Sequence, residues 1–348
     1  MKTVPIKESV RLRPTMYVGS NDEKGVYTMI ESFLLDLIAS SEMEEVEVQL
    51  NPDNIIRISS SDLKVDSFIQ KLELLKNGYD PNNQEILYKV LDLSVIITLS
   101  DKIKIEVYDA GKIHTLIGAK GEFEKNSDEG YLKEDLIMEI IPDRNVFQTP
   151  ELQFEALNTI YQRIAYINPD IKIISVDDAH DEYQRRVFHY PNGLSDKMDS
   201  FVSERSIDKP SIRLDVEEAS GNYHYSLSFA FLNYPTCPYI QSFAGFVDTL
   251  YHGSLVDGAI QGILQAIKEF ADKKGIKINI SDKSLKENGL ILLASLLGPE
   301  YNFGGSQKLE LDMPEIETNA KDIVSVELAR YLQENEAEAL DFINRFSD

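Results

Sequence analysis

Five histidines, His114, His180, His189, His224 and His252, are the first place to look for chemistry. None of them falls in a His-Glu-x-x-His pattern or at paired metal-ligand spacing. Asp177, Asp178, His180, Asp181 and Glu182 form the densest run of metal-capable donors, and a solvated turn is the favoured reading of such a run. Cys237 has no motif around it, and a single thiol cannot build an internal disulfide or a zinc cage. No Gly-x-Ser-x-Gly elbow and no Walker loop is present. Tyr223, Tyr225, Phe229 and Phe231 alternate along one segment, as core residues of a strand do more often than base-stacking platforms. Lys268, Lys273, Lys274, Lys277, Lys283 and Lys286 are the densest basic group, best read as a solvated helix end.

The elements that must position these groups follow from periodicity. Val26, Met29, Ile30, Phe33, Leu34, Leu37 and Ile38 repeat at three-and-four spacing, which predicts an amphipathic helix over 26–38. Alternation predicts strands at 45–50 and around Ile56 and Ile58, with the turn NPDN between them. Helices are expected near 65–76 and 84–92, then consecutive strands at 95–99, 102–108 and 112–118. Asp109-Ala110-Gly111 closes the last pair as a hairpin. Residues 118–135 are charged and read as a loop, and 136–142 is again a strand. Phe154, Leu157, Ile160, Tyr161, Ile164 and Ala165 mark a helix, 171–176 a strand, and 177–186 a turn with a strand start. The polar stretch near 190–210 is the expected domain boundary. Beyond it lie strands at 211–217 and 223–233, a long helix through Val256, Ile260, Ile263, Leu264, Ile267 and Ala271, and the apolar run 290–298. That run has the character of a strand buried on both faces. Two short helices, near 318–333 and 336–346, are expected last. The result is an α+β protein with two domains, 1–200 and 201–348.

Composition narrows the function. The chain has 348 residues, 59 acidic and 35 basic side chains, and a formal net charge of −24. Apolar residues at 43% and charged residues at 27% are ordinary globular values, which exclude a disordered or fibrous chain. Duplex DNA is held largely by Lys and Arg, so a surface this acidic argues against direct DNA binding. No apolar run approaches the ~20 residues of a membrane span, and the opening residues carry no secretion signal. A cytoplasmic protein is expected.

Longer blocks carry a resemblance. VRLRPTMYVGS at 10–20 and KGVYTMIESFLLDLI at 24–38 resemble the opening of the ATPase region of type IIA topoisomerases, the gyrase B protein and its relatives. VYDAGKIHTL at 107–116, the run 142–173, VFHYPNGL at 187–194 and the run 284–311 are similar to later blocks of that family, in the same order. The resemblance implies a GHKL (Bergerat-type) α/β sandwich followed by a transducer domain of a ribosomal-protein-like type. It also implies an ATP and magnesium site on the first helix. Ser32, Leu35, Asp36 and Ala39 occupy one helical face there. The family carries Glu, Asp, Asn and Asp on that face: a water-activating base, supporting carboxylates and the amide that holds magnesium.

The match on that face is poor. Asp36 alone keeps a metal-capable oxygen, so it is the expected magnesium contact. Ser32 stands at the general-base position and cannot take a proton from water as a glutamate can. Glu31 lies about 100° away around the helix. The family's Asp-x-Gly-x-Gly segment is replaced by SSSDLKVDS at 59–67, where Asp62 imitates the adenine-reading aspartate without its glycines. Between Gly25 and Gly111 the sequence has only Gly78, too little glycine for a loop that wraps phosphates. Lys308, in FGGSQKL, falls where the family's transducer lysine reaches the γ-phosphate. Arg11, Arg13 and Tyr17 read as anchors of the N-terminal segment.

No catalytic residue is therefore expected, and cofactor-binding candidates reduce to Asp36, Asp62 and Lys308. The primary expectation is a pseudo-ATPase of protein-interaction or regulatory type with no cofactor. Its partner would be a second copy or a gyrase or topoisomerase subunit. The alternative is a divergent ATPase using ATP and magnesium through Asp36 and Lys308, with Glu31 or Asp62 as a replacement base. The cleaving parts of a topoisomerase lie outside the resemblance, so DNA cleavage by this chain alone is not expected.

Overall fold

The computed structural model describes residues 2–4, 6–41, 43–77, 84–148, 151–180, 182–204, 210–305 and 308–347. The chain folds as two compact units, Met1–Pro191 and Asn192–Asp348. A boundary at 200/201 would cut a helix, Leu194–Glu204, that belongs to the second unit.

The first unit runs β1 (Lys2–Thr3), α1 (Lys7–Leu12), α2 (Thr15–Val18), α3 (Glu23–Ser41), β2 (Glu45–Asn51) and β3 (Ile55–Ser60). It continues α4 (Val65–Asn77), α5 (Gln84–Leu99), β4 (Ser100–Asp109), β5 (Lys112–Ala119), β6 (Glu122–Glu129) and β7 (Leu136–Pro142), then α6 (Phe154–Ile167), β8 (Lys172–Asp177) and β9 (Gln184–Phe188). The strands form one nine-stranded sheet in the order β1-β6-β5-β4-β7-β3-β2-β8-β9. All of its pairs are antiparallel except β2 with β8. Alternation gives the sheet one apolar face: Val46, Val48, Ile56, Ile58, Ile103, Ile105, Val107, Met138 and Ile140 are buried. Val26, Ile30, Phe33, Leu34 and Leu37 of α3 are buried as the helical period predicts.

Two segments depart from the sequence reading. Residues 95–99 continue α5 as helix instead of starting a strand. Val95, Ile96, Ile97 and Leu99 are all buried, and an apolar run buried on every side looks the same for a strand or a core helix. The Thr98 and Ser100 hydroxyls donate to the Ser94 and Ile96 carbonyls, which stitches the helical end together. Within 118–135, the charged residues 122–129 are the strand β6 and not loop. Lys120 and Gly121, at φ 53° and 83°, make the two-residue turn from β5, as Ala110 and Gly111 do from β4 at 46° and 88°. Near the sheet edge Glu124 and the run 126–129 of β6 are exposed, and these polar side chains hide the strand period.

The second unit runs α7 (Leu194–Glu204), β10 (Ile212–Ser220), β11 (Tyr223–Phe231), β12 (Tyr239–Ala244), β13 (Val247–Asp248) and β14 (His252–Gly253). Then come α8 (Ser254–Lys274), α9 (Asp282–Glu287), β15 (Leu290–Leu297), β16 (Glu310–Leu311), α10 (Pro314–Glu334) and α11 (Glu336–Ile343). Its main sheet has the order β10-β11-β15-β12-β13. The β15 strand is buried on both faces: Leu290, Leu292 and Leu296 pack with α8, α10 and α11, while Ile291 and Leu293 pack with Leu194 and Met198 of α7. Tyr225, Phe229 and Phe231 are core residues. The helix expected near 318–333 begins earlier, at Pro314, a residue suited to the first turn because it has no N–H to satisfy.

Candidate functional site

The site expected on α3 is built from three helices of the first unit. α3 packs against α4 and α5, and α4 packs against α5. Phe68, Leu72 and Leu75 of α4 are buried and repeat at helical spacing. Lys71 sits on the same stripe, with its side chain only 8% exposed. Its ammonium lies 2.6 Å from both Asp36 oxygens and 2.9 Å from the Ser40 hydroxyl. Ser40 donates in turn to the Asp36 carbonyl at 2.6 Å. One lysine thus holds both oxygens of the carboxylate that the sequence offers for magnesium. A buried ammonium needs such a counter-charge, because removing it from water alone is very costly.

A second carboxylate faces this pair. Burial pushes the Asp92 carboxyl on α5 up to about 6, the Asp36 charge adds to the rise, and Lys71 partly opposes it. The cluster therefore holds two carboxylates and one ammonium in a poorly solvated seam, an arrangement that favours a shared positive charge or a proton. The other members of the α3 face take no part in it. Leu35 is buried, Ser32 half-buried and Ala39 exposed.

The remaining candidates lie elsewhere. Asp62 accepts from the Glu44 and Glu45 N–H groups at 2.7 and 3.0 Å through one oxygen, and from the Ser60 hydroxyl at 2.6 Å through the other. It ties the start of β2 to the end of β3. Glu31 forms an ion pair with Arg163 of α6. Lys308, in the second unit, is exposed, with its ammonium 5.9 Å from the Phe303 ring centroid and its backbone at φ 55°. Asp36 and Asp62 are thus engaged in separate local networks of the first unit.

The N-terminal anchors have clear contacts. Arg11 donates to the Thr98 carbonyl at 3.1 Å and to Asp143 at 2.9 Å. Tyr17 and Ser9 share a hydroxyl hydrogen bond of 2.8 Å. In the acidic turn, His180 Nδ1 lies 2.8 Å from buried Asp177, whose Oδ1 also accepts from the Ala179 and His180 N–H groups. Residue 181 lies outside the described residues. Among the described residues no group of three or more His, Cys, Asp or Glu side chains is arranged to hold a metal ion, and no helix is long and apolar enough to cross a membrane.

Lys71 and Asp92 are the members of the cluster that motif reading passes over. Their signal is in the sequence nonetheless. Phe68, Lys71, Leu72 and Leu75 share one helical face, and Asp92 interrupts an apolar run, so each is a charge in an apolar setting that calls for a buried partner.

Residues 193–348 match the family model described as DNA gyrase B. The chain is 23% identical to the DNA gyrase B protein of Archaeoglobus fulgidus over 364 residues, covering 97% of this chain and 56% of that protein. It is 26% identical to the DNA topoisomerase 4 B protein of Bacillus subtilis over 366 residues, covering 94% and 53%. The chain therefore spans about half the length of the relatives it matches. Among solved structures, the 43K ATPase domain of Thermus thermophilus gyrase B, in complex with an aminocoumarin, superposes with a TM-score of 0.77 at 19% identity, covering 97% of this chain and 92% of that one. The topoisomerase IV ATP-binding domain of Francisella tularensis gives 0.73 at 18% identity, covering 99% and 96%. These likenesses establish the fold: a GHKL sandwich followed by a transducer domain.

Proposed function

We propose that this chain, homologous along its length to the ATPase region of gyrase B and its type IIA topoisomerase relatives, uses that architecture for protein association without turning over ATP. The observation that carries the reading is the Lys71 ammonium at 2.6 Å from both oxygens of Asp36. A magnesium ion at Asp36 would have to displace a buried lysine and strip its ammonium of the carboxylate it binds through both oxygens, in a poorly solvated seam, which is unfavourable. Ser32 supplies no base, and Asp62 is held by backbone N–H groups that an adenine would have to replace. Each change alone would slow an ATPase; together they remove metal, base and adenine contacts at once.

The competing reading keeps ATP and magnesium through Asp36 and Lys308. It needs Lys71 to withdraw, and it needs a new base, whereas Glu31 is paired with Arg163. Isothermal titration with ATP and magnesium, paired with a phosphate-release assay, separates the two. The expected result is no heat of binding at millimolar nucleotide and no release above the protein-free rate. Micromolar binding with turnover abolished by Asp36→Ala would overturn the proposal.

The partner class we propose is a second copy of this chain or a type IIA topoisomerase subunit, and direct DNA binding is not part of the reading because the surface is strongly acidic. Sedimentation of the purified chain, and its co-purification from the native cell, test this part. A chain that stays monomeric and brings down no such protein would count against it.

A further inference from the structure

The first unit contains a second buried polar group, unrelated to the Asp36 cluster. On α6, Asn158 is 4% exposed and both ends of its amide lack a protein hydrogen-bond partner. Tyr161, three residues on and 1% exposed, has an unpartnered hydroxyl. Residues three apart on a helix share a face, so both side chains enter the same layer. α6 packs there against β8 and α3. On β8, Ser175 is 1% exposed and its hydroxyl is also unpartnered. Ser175 is in register with Val48, which places it on the core-facing side of the strand. Leaving such groups dry costs more than immobilising a water that bonds to them.

We propose that the layer between α6, β8 and α3 is a built hydration site, in which ordered water bonds to Asn158, Tyr161 and Ser175. The chemistry selects a neutral ligand. An amide, a phenol and an alcohol offer both donors and acceptors and no net charge. The carboxylate two residues further along that side of β8, Asp177, is occupied by the His180 ring and by backbone N–H groups. Burial, with the neighbouring Tyr27, pushes the Tyr161 hydroxyl well above its ordinary range, so it stays protonated and can donate. Tyr27 accepts from the Gln153 N–H at 2.9 Å. The hydrogen bond of Tyr27 with the Gln153 N–H and the ion pair of Glu31 with Arg163 tie α3 to α6 near both ends of the α6 segment that carries Asn158 and Tyr161.

A crystal structure of the whole chain at a resolution that reveals waters is the direct test. Ordered density is expected within about 2.7–3.2 Å of the Asn158 amide and the Tyr161 hydroxyl. Oxygen-17 relaxation dispersion in solution gives an independent count of long-lived buried waters. That count should fall in Tyr161→Phe and fall further in Tyr161→Phe with Asn158→Leu. Refined side chains that bond to other protein groups, or a dry layer, would overturn the proposal. So would a dispersion unchanged by folded variants. Should the double variant fail to fold, the wild-type density and Tyr161→Phe still decide.

Discussion

Arg11 of α1 places a guanidinium nitrogen 2.9 Å from the carboxylate of Asp143, a residue with no solvent exposure just beyond β7. Burial alone would raise the Asp143 pKa, yet the hydrogen bonds from Asn145 and Arg11 outweigh it and hold the carboxyl below its ordinary range. The opening segment is thus fastened through a charge that the core cannot leave bare.

Replacing Arg11 with Leu is expected to destabilise the first unit by about 2–3 kcal/mol, less than the cost of stranding a fully buried charge because the Arg11 side chain is 27% exposed and Asn145 still donates to Asp143. Urea denaturation of both proteins measures it. The loss should shrink in acid. A carboxyl with a depressed folded pKa stabilises above its unfolded value, near 3.8, and loses that contribution as pH falls through the folded value. A loss that stays constant down to pH 2 would contradict this account.

Lys71→Met is expected to cost about 2–3 kcal/mol, somewhat less than a fully buried pair because the Asp36 side chain is 22% exposed. Combining it with Asp36→Leu should recover most of that cost, since the two side chains form one unit. A double-mutant cycle by denaturation reads the coupling. Purely additive costs would mean that the ion pair is incidental.

Asp92→Asn should stabilise the protein near pH 7.5. Its folded pKa of about 6 exceeds the unfolded 3.8, so the folded state binds the extra proton between those values. The stability associated with that proton is complete below 3.8 and is lost as pH rises through 6. The variant should therefore gain about 2–3 kcal/mol at neutral pH and little near pH 4. Melting curves from pH 4 to 8 test the sign.

Gly258 lets α8 lie directly on α10, since a Cβ there would sit 2.2 Å from the Glu317 carbonyl oxygen. Gly258→Ala should force the helices apart and cost about 1–3 kcal/mol. Because the clash is with backbone, no side-chain rotation relieves it. Gly275→Ala is the informative contrast: its Cβ meets no atom within 4 Å, so any loss there comes from a backbone at φ 69° and not from crowding. A thermal melt with Gly258→Ala at the wild-type midpoint would refute the packing argument.

Much of the architecture was legible because its signals are local. The stripe of α3, the alternation of β2, β4 and β7, and the doubly buried β15 each follow from one period and one buried face. The strand β6 and the end of α5 were not legible. The first hides its period among exposed charges, and the second is apolar on every side, so neighbouring residues carry no information about which form wins.

The sequence by itself determined an acidic α+β chain whose blocks resemble, in order, those of an ATPase and transducer pair, and it determined which side chains α3 carries where that family has its acidic and amide groups. The absence of a carboxylate at Ser32 needs no coordinates to recognise. Only the tertiary structure decided what the surviving Asp36 does, because its partner lies 35 residues away on another helix. Pairing across such a distance depends on how α3, α4 and α5 pack, and packing is a property of all three surfaces at once. A short motif cannot encode it.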